Sequence, residues 1–464
     1  VNQYAMQNTD INYLVMGAGV TGLSVVSFLR AQGNCVRVMD SRELPPNANK
    51  IKALLKPNDI CFGEFKWEWL EHTDVLVVSP GIDSHQPPIQ TACQRGVKVI
   101  GDIELFAQAA ERPYIAITGS NGKTTVTTLV TELLQSQGIK AKAGANIGEP
   151  ALELLSDDNT EIYVLELSSF QLETCHSLRA SSAVVLNVSN DHLDRHADID
   201  EYKAIKCSIY KHAQRQIFSR LEDCRQFNQQ AIKQQVSEQD STHTSFGFDK
   251  PESGHYGCVS DHQGRQWLAC GDEKIMPADQ IPLVGEVGKL NVLAALAIAA
   301  PYLSDMPSAV ETIRAFKGLP HRCQRVAKYN DVTWINDSKA TNIGATLAAI
   351  EGLERPLILL LGGVHKGGAV ECLIPAITNK VRQVIVYGRD ADIFRQALAE
   401  HVQTEQVQTL QQAVTKAYNT AVADDTVLLS PACASFDSFD NYMHRGDVFS
   451  QSVQACMRGS YDAC

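Results

Sequence analysis

The stretch Tyr114-Ile115-Ala116-Ile117-Thr118-Gly119-Ser120-Asn121-Gly122-Lys123-Thr124-Thr125 decides how the rest of the chain is read. A short apolar run predicts a buried strand, Gly-Ser-Asn-Gly a tight loop, and the following VTTLVTELLQSQG a helix. In that order they form a phosphate cradle. Glycines let the backbone curl around phosphate, and exposed N–H groups at a helix N-terminus supply positive potential. Lys123 reaches phosphate oxygens and Thr124 can ligate Mg²⁺. Ile117 stands where a full P-loop has glycine, so this is a shortened form. The competing reading, a glycine-rich turn beside a surface lysine, leaves the coincidence of strand, glycines, Lys, Thr and helix unexplained.

A phosphate cradle needs a carboxylate on a neighbouring strand to hold the metal. Glu166, in Ile162-Tyr163-Val164-Leu165-Glu166-Leu167, is the candidate. In so apolar a strand a carboxylate loses its solvation unless it faces water, a partner or a metal. The polar run Ser168-Ser169-Phe170-Gln171-Leu172 follows it, placed to meet nucleotide or substrate. The next strand ends at Asn187 and leads to Asp191, His192, Asp194 and Arg195, where a neutral His192 imidazole can ligate a second metal or serve only the loop. Lys206, within EYKAIKCSIY, reads from its own helix as a surface lysine.

Outward from this stretch, short β-branched runs recur, each closed by Gly, Ser, Asn or Asp and followed by a helix-length segment. They are Tyr13–Met16, Val75–Val78, Ile115–Thr118, Ile162–Leu167, Ala183–Val188, Val332–Ile335, Leu357–Leu361, Val384–Tyr387 and Thr426–Leu429. Such alternation predicts an α/β protein with parallel sheets. At 464 residues, three domains are expected. The turns at Gly101-Asp102 and Gly318-Leu319-Pro320 divide the chain into 1–101, 102–318 and 319–464. Residues 219–280, rich in Gln, His and Gly, predict only short strands and loops.

In the first segment, strand Tyr13–Met16 runs into Gly17-Ala18-Gly19-Val20-Thr21-Gly22, and Asp40 closes the next strand. That is the spacing of a dinucleotide fold, with the acid on a ribose hydroxyl. Arg42 suits a phosphate of NADP or of another nucleotide, and the same turn also occurs with no ligand. In the last segment, Asn336-Asp337-Ser338-Lys339-Ala340-Thr341-Asn342, Gly362-Gly363-Val364-His365-Lys366-Gly367-Gly368 and Ser430-Pro431-Ala432-Cys433-Ala434-Ser435 follow strands at their carboxyl ends, where open α/β sheets bind ligands. Lysines there suit anions.

Composition narrows the class. With 44% hydrophobic and 20% charged residues the chain is an ordinary globular protein. A net charge of −12 excludes a nucleic-acid surface, which needs clustered Lys and Arg, but leaves room for a small anionic ligand held by loop amides. The 13 cysteines stand singly, with no C-x-x-C pair, and predict reduced thiols. No basic leader and no run of 18 apolar residues points to a membrane. The expectation is a cytoplasmic protein.

Taken together, Gly101-Asp102-Ile103-Glu104-Leu105-Phe106, Thr118 to Thr125, Leu165 to Leu172, Leu319-Pro320-His321-Arg322, Asn336 to Asn342 and Leu429 to Ser435 resemble the Mur ligase family, and within it the members that add D-glutamate. The resemblance covers nearly the whole chain. It implies a Rossmann-like first domain, a P-loop ATPase-like middle domain and a Rossmann-like last domain. It also implies a monomeric ATP-dependent ligase of peptidoglycan precursor synthesis, joining D-glutamate to UDP-N-acetylmuramoyl-L-alanine through an acyl phosphate. The sugar nucleotide, rather than NAD, would lie on Thr21, Asp40, Ser41, Arg42, Gly81, Asn146, Gln171 and His192. ATP would lie on Gly119, Ser120, Asn121, Gly122, Lys123, Thr124 and Thr125, with Asn291, Arg322 and Asp337 around base and ribose. Two Mg²⁺ would be held by Thr124, Glu166, His192 and a carbamylated Lys206. D-glutamate would be held by Thr341, Lys366, Ser435 and Phe436, with Lys339 near the reacting phosphoryl; Lys123, His192, Lys206 and Lys339 would form the catalytic set. Three features depart from the family pattern: Val287-Gly288 where His-Asn is familiar, Tyr442 where Phe is familiar, and a spacing from His192 to Lys206 one residue shorter than in some relatives.

Overall fold

The computed structural model describes residues 11–189, 195–220, 242–353 and 356–459. Three sheets follow one another along the chain. The first contains β1 (Asn12–Met16), β2 (Cys35–Asp40), β3 (Ile60–Phe62), β4 (Val75–Val78) and β5 (Lys98–Ile100) in the order β3-β2-β1-β4-β5, with every pairing parallel. The strand order reverses between β1 and β4, and a crevice opens there at the carboxyl ends. Gly17-Ala18-Gly19 turns the chain from β1 into α1 (Val20–Ala31). A Cβ on Gly22 would stand 1.8 Å from the Gly17 carbonyl, so the last glycine of the motif is required by packing alone.

The middle sheet has nine strands: β6 (Tyr114–Thr118), β7 (Ala141–Ala145), β8 (Ile162–Glu166), β9 (Ser182–Val185), β10 (Arg215–Ser219), β11 (Thr242–Phe246), β12 (Tyr256–Ser260), β13 (Gln266–Cys270) and β14 (Glu273–Pro277). Their order is β14-β13-β12-β11-β10-β9-β6-β8-β7. All five residues of β6 and of β8 are buried, as apolar runs in a covered parallel sheet must be. The region expected to hold short strands and loops does hold short strands, and they extend this sheet, with β12, β13 and β14 pairing antiparallel. These strands bury one end or one face, so their apolar pattern is too thin to stand out in the sequence. One difference is at β9, which stops at Val185 rather than running to Val188, because Asn187 and Ser189 turn aside to bind the glycine loop.

Helix α2 (Lys123–Ser136) follows β6, α3 (Ser169–Glu173) follows β8, and α4 (Ile199–Cys207) precedes β10. Helix α5 (Gly285–Ala299) packs along α2, with every residue from Val292 to Ala299 buried. One continuous apolar cluster joins Val25, Val26 and Leu29 of α1 to Leu152 and Leu154 and on to Leu165 of β8, so the first sheet docks firmly on the middle one.

The last sheet contains β15 (Gln324–Tyr329), β16 (Val332–Asn336), β17 (Leu357–Gly362), β18 (Val381–Tyr387), β19 (Gln403–Gln406) and β20 (Thr426–Leu429), ordered β15-β16-β20-β17-β18-β19. Only β15 is antiparallel. Separate apolar clusters cover its two faces, with α6 (Ile343–Gly352) on one and α7 (Tyr442–Met457) on the other. The three-domain α/β architecture expected from the sequence is therefore present, with an antiparallel extension on the middle sheet. No helix among the described residues is long and apolar enough to cross a membrane.

Candidate active site

The glycine loop is held open from beneath. Gly119 and Gly122 take φ of +154° and +83°, conformations open to glycine and costly for other residues. Asn187 clamps the loop from the next strand: its side-chain oxygen accepts from the Asn121 amide at 2.8 Å, and its amide donates back to the Asn121 carbonyl at 3.0 Å. The carbonyl of Asn187 accepts from the Ser120 N–H. Lys123 folds over the loop and donates to the carbonyls of Gly119 and Ser120 at 2.8 and 3.0 Å. The cradle is thus held by hydrogen bonds within the chain, with the Lys123 ammonium lying on the loop itself.

Above the loop three cations surround one acid. Glu166 closes β8 and is buried, its Oε2 accepting no hydrogen bond. Burial raises its pKa, while Lys123, the Thr124 hydroxyl, Arg322 and Lys339 pull the other way. Arg322 reaches across from the last segment to donate to Thr124 Oγ1 at 2.7 Å. His321 and Cys323 on either side of it hold φ of +63° and +43°, values that non-glycine residues adopt at a cost. Lys339 lies 4.3 Å above the Tyr442 ring, and burial together with repulsion from Arg322 and Lys123 lowers its pKa to about 8. So much positive charge around a single carboxylate favours a polyanion with a divalent cation.

A cavity runs from this cluster between the middle and last segments. Asn121, Gly122 and Thr125 line one wall, Asn291 of α5 and Val287-Gly288 a second, and Arg322 and Asp337 a third. Asp337 is buried, accepts from Ser430 Oγ at 2.8 Å and the Cys323 amide at 3.1 Å, and burial raises its pKa to about 6. Asn291 stands against Gly122, where a Cβ would come within 2.6 Å of its side-chain oxygen. Lys206 on α4 is fully buried beneath the loop, donating to the Gly119 carbonyl at 3.0 Å and packing on the Tyr202 ring at 4.6 Å. It is not the surface lysine its helix pattern indicated. His192 lies outside the described residues.

A second crevice opens at the switch point of the first sheet. It is lined by Thr21, Asp40, Ser41, Arg42 and Gly81 from that sheet and by Asn146 and Gln171 from the middle one. Asp40 is buried and its oxygens are taken: it accepts from the Ala18 amide at 2.7 Å and from Arg42 through the backbone, Nε and Nη2 at 2.9, 2.8 and 2.7 Å. Burial would raise its pKa, but these donors outweigh it and hold it at about 2. Its direct effect is to fix Arg42, whose side chain is half exposed at the crevice mouth. Asn146 donates its amide to the Glu166 carbonyl at 2.9 Å, which ties this crevice to the acid of the first site. Gln171 completes a capping box with Ser168 at the start of α3.

The three loops at the carboxyl ends of β16, β17 and β20 carry Thr341, Lys366 and Ser435. Ser435 is buried, Thr341 half-buried, Lys366 exposed, and Phe436 exposed at 72%. Phe436 therefore lies on the surface rather than in the core.

Residues 11–101, 117–299 and 321–433 match the models for the "Mur ligase MurD-like, N-terminal domain", the "Mur ligase middle domain" and the "Mur ligase, glutamate ligase domain". The chain is 43% identical to the UDP-N-acetylmuramoylalanine--D-glutamate ligase of Methylobacillus flagellatus over 97% of its own length and 98% of that protein's. The chain belongs to the Mur ligase family. It is also 42% identical to the ligase of the same name from Haemophilus influenzae, over 97% and 99% of the two chains. The crystal structure of MurF ligase from Thermotoga maritima in complex with ADP shares the fold at 15% identity, with a TM-score of 0.59 over 98% of this chain and 97% of that one.

Two departures of this Mur ligase from the family pattern acquire a physical setting. Gly288 packs on Leu283 so closely that a Cβ would stand 2.7 Å from the Leu283 Cβ and 2.9 Å from its carbonyl carbon, so the replacement is matched to the local packing of α5. Tyr442 is the ring beneath Lys339. Sequence reading missed Asn187 as the clamp of the loop and the group around Glu173. That carboxylate accepts from Ser84 at 2.7 Å and pairs with Arg195 at 3.0 Å, and Arg195 also pairs with Asp83 at 3.2 Å. It fastens the first sheet's loop to the middle domain. The signal for Asn187 was its place at a strand end beside the cradle; nothing local marks Glu173.

Proposed function

We propose that this Mur ligase is an ATP-dependent ligase that adds D-glutamate to UDP-N-acetylmuramoyl-L-alanine in peptidoglycan precursor synthesis, acting as a cytoplasmic monomer. The observation that carries the ATP chemistry is the convergence of Lys123, Arg322 and Lys339 on an acid, Glu166, whose buried Oε2 accepts no hydrogen bond. The acceptor and amino acid follow the names of the relatives above, 42% and 43% identical over nearly the whole chain. The chain divides for this purpose into 1–101 for the sugar nucleotide, 102–318 for ATP and 319–464 for the amino acid.

A carboxylate is a poor acyl donor because its oxyanion leaves badly. Its oxygen therefore attacks the γ-phosphorus of ATP, ADP departs, and the acyl phosphate forms. The D-glutamate nitrogen then attacks the acyl carbon, loses a proton, and phosphate leaves as the amide closes. Both anions of the first step must be brought together. The loop amides and Lys123 take the phosphates, Arg322 and Lys339 add charge where it accumulates, and Asn291 and Asp337 hold base and ribose.

Among the described residues no three His, Cys, Asp or Glu side chains gather to hold a metal. The donors that are present nevertheless fit Mg²⁺ shared with phosphate: an unsatisfied buried carboxylate at Glu166 beside the Thr124 hydroxyl. Two Mg²⁺, when bound, would neutralise the transferring oxygens, with His192 and a carbamylated Lys206 completing the set. Carbamylation would turn the Lys206 ammonium, buried under Gly119, into an anion able to meet a metal. Arg42 and Thr21 receive the diphosphate, Asp40 and Ser41 shape that end, and Gly81, Asn146 and Gln171 lead the acyl end toward Glu166. Thr341, Lys366, Ser435 and Phe436 take the two carboxylates and body of D-glutamate.

The test is phosphate release from ATP with UDP-N-acetylmuramoyl-L-alanine, comparing D-glutamate with L-glutamate, L-alanine and lysine. Release with D-glutamate alone is expected. Equal or greater release with another amino acid would overturn the assignment of the third substrate.

A further inference from the structure

Helix α7 brings one side chain into the last domain that the reaction as described does not use. Arg445 is fully buried, and among the described residues no carboxylate pairs with it. Its guanidinium is instead distributed over backbone. Nη2 donates to the Ser338 carbonyl at 2.7 Å, Nε to Ser338 Oγ at 2.9 Å, and Nη1 to the carbonyls of Cys433 and Gly362 at 3.0 and 3.4 Å. A buried cation compensated by carbonyl and hydroxyl dipoles is a demanding arrangement, and breaking it leaves several acceptors unpaired at once.

The three acceptor residues stand at the roots of three different loops. Ser338 lies two residues past the end of β16 and next to Lys339, Gly362 closes β17 before Lys366, and Cys433 lies beyond β20 two residues before Ser435. Strands β16, β20 and β17 are consecutive in the sheet, so one planar fork pins the roots of all three loops. The neighbouring Gly446 reinforces the joint: its carbonyl accepts from Asn336 at 2.8 Å, and a Cβ there would stand 2.2 Å from His321 Nδ1, beside Arg322. Lysine offers no such fork; its single ammonium cannot span three loops.

We propose that Arg445 is the positioning residue of the amino-acid half of the site, setting the mutual distances of Thr341, Lys366 and Ser435 so that both carboxylates of the incoming amino acid are met together. The assignment of that ligand rests on the function proposed above. Its effect falls on amino-acid binding and on the alignment of the amine, and spares the sugar-nucleotide crevice, which belongs to other segments.

The experiment uses Arg445→Lys and Arg445→Ala in the full chain. In Arg445→Lys, KM for D-glutamate rises about tenfold or more while KM for UDP-N-acetylmuramoyl-L-alanine stays within about twofold. Added guanidinium ion restores part of the activity of Arg445→Ala. Amide hydrogen exchange in the ligand-free protein quickens in 336–342, 362–368 and 430–436 and not in the strands between them. A folded Arg445→Lys protein in which the two KM values are unmoved, or move together, overturns the proposal, as does exchange that quickens evenly through the last domain. If Arg445→Ala does not fold, Arg445→Lys carries both readouts. Wild-type protein that releases no phosphate with D-glutamate refutes the proposed function instead, and the exchange pattern still decides whether Arg445 holds the loops.

Discussion

The two ligand crevices are built on opposite electrostatic plans. At the switch point of the first sheet the one buried acid, Asp40, spends both oxygens on Arg42 and the Ala18 amide. At the glycine loop a buried acid, Glu166, keeps an oxygen unsatisfied while Lys123, Arg322 and Lys339 crowd it. A satisfied pair presents a fixed shape and charge, which is recognition. An unsatisfied cluster stores interactions that only an incoming polyanion completes, which is where charge can be moved. The contrast separates binding from chemistry within one chain.

The largest effect expected from this contrast comes from Lys123. Lys123→Ala removes a charged donor that the transferring phosphoryl needs, and kcat falls about a thousandfold in the phosphate-release assay. Affinity for the sugar nucleotide, measured by calorimetry, stays unchanged. Comparable loss of both would erase the division. Glu166→Gln comes next, lowering kcat about a hundredfold and weakening the dependence on Mg²⁺ concentration, because the neutral amide cannot serve a metal. Arg42→Ala works the other way: KM for the sugar nucleotide rises about tenfold while kcat holds, the mark of an interaction made equally in ground and transition states. A fall in kcat without a change in KM would place chemistry in the first crevice.

A smaller effect tests the cation cluster by pH. Lys339 is charged below about pH 8 and loses its proton above it. Its charge aids phosphate binding, so kcat/KM for ATP in the free enzyme declines as pH rises through about 8. Lys339→Arg, which stays charged, flattens that limb even where its absolute rate is lower. A declining limb unchanged in the arginine variant would assign the titration elsewhere.

How much of this was legible beforehand follows the same contrast. Tyr114 to Thr125 and Leu165 to Leu172 encode strand, turn and helix locally, so cradle and acid could be read from residue order. The three strand-end loops of the last domain were visible for the same reason. Lys206 was misjudged on its own helix pattern because its burial comes from β6 and the glycine loop, which are distant in sequence. Arg445 gave no local signal either: three loops separated by up to about a hundred residues converge on it only after the sheet has ordered its strands. Between 219 and 280 short strands were expected but could not be placed one by one, because half-exposed strands such as β13 and β14 carry too few apolar residues to stand apart from loop.

The smallest expected effect is on stability, and it concerns a third acid between the two crevices. Asp102 is buried at the start of its helix, one oxygen without a partner and the other accepting from Gln171 Nε2 at 3.4 Å. Burial, only partly opposed by Gln171 and the first amides of the helix, raises its pKa to about 6 from 3.8. A carboxyl whose folded pKa lies above its unfolded value adds stability that is complete below 3.8 and lost as pH rises through about 6. At pH near 8 the ionised group therefore weighs against the fold by up to about 3 kcal/mol. Asp102→Asn keeps an acceptor for Gln171 and removes the charge, so in urea unfolding the variant gains on wild type between pH 5 and pH 8 by about 1–3 kcal/mol. Glu166→Gln gains in the same way without ligand but forfeits it when Mg·ATP is present, because there the carboxylate has cations and a metal to meet. If Asp102→Asn instead lost stability at the higher pH, the acid would have a cationic partner in solution, and its likeness to Glu166 would extend from burial to function.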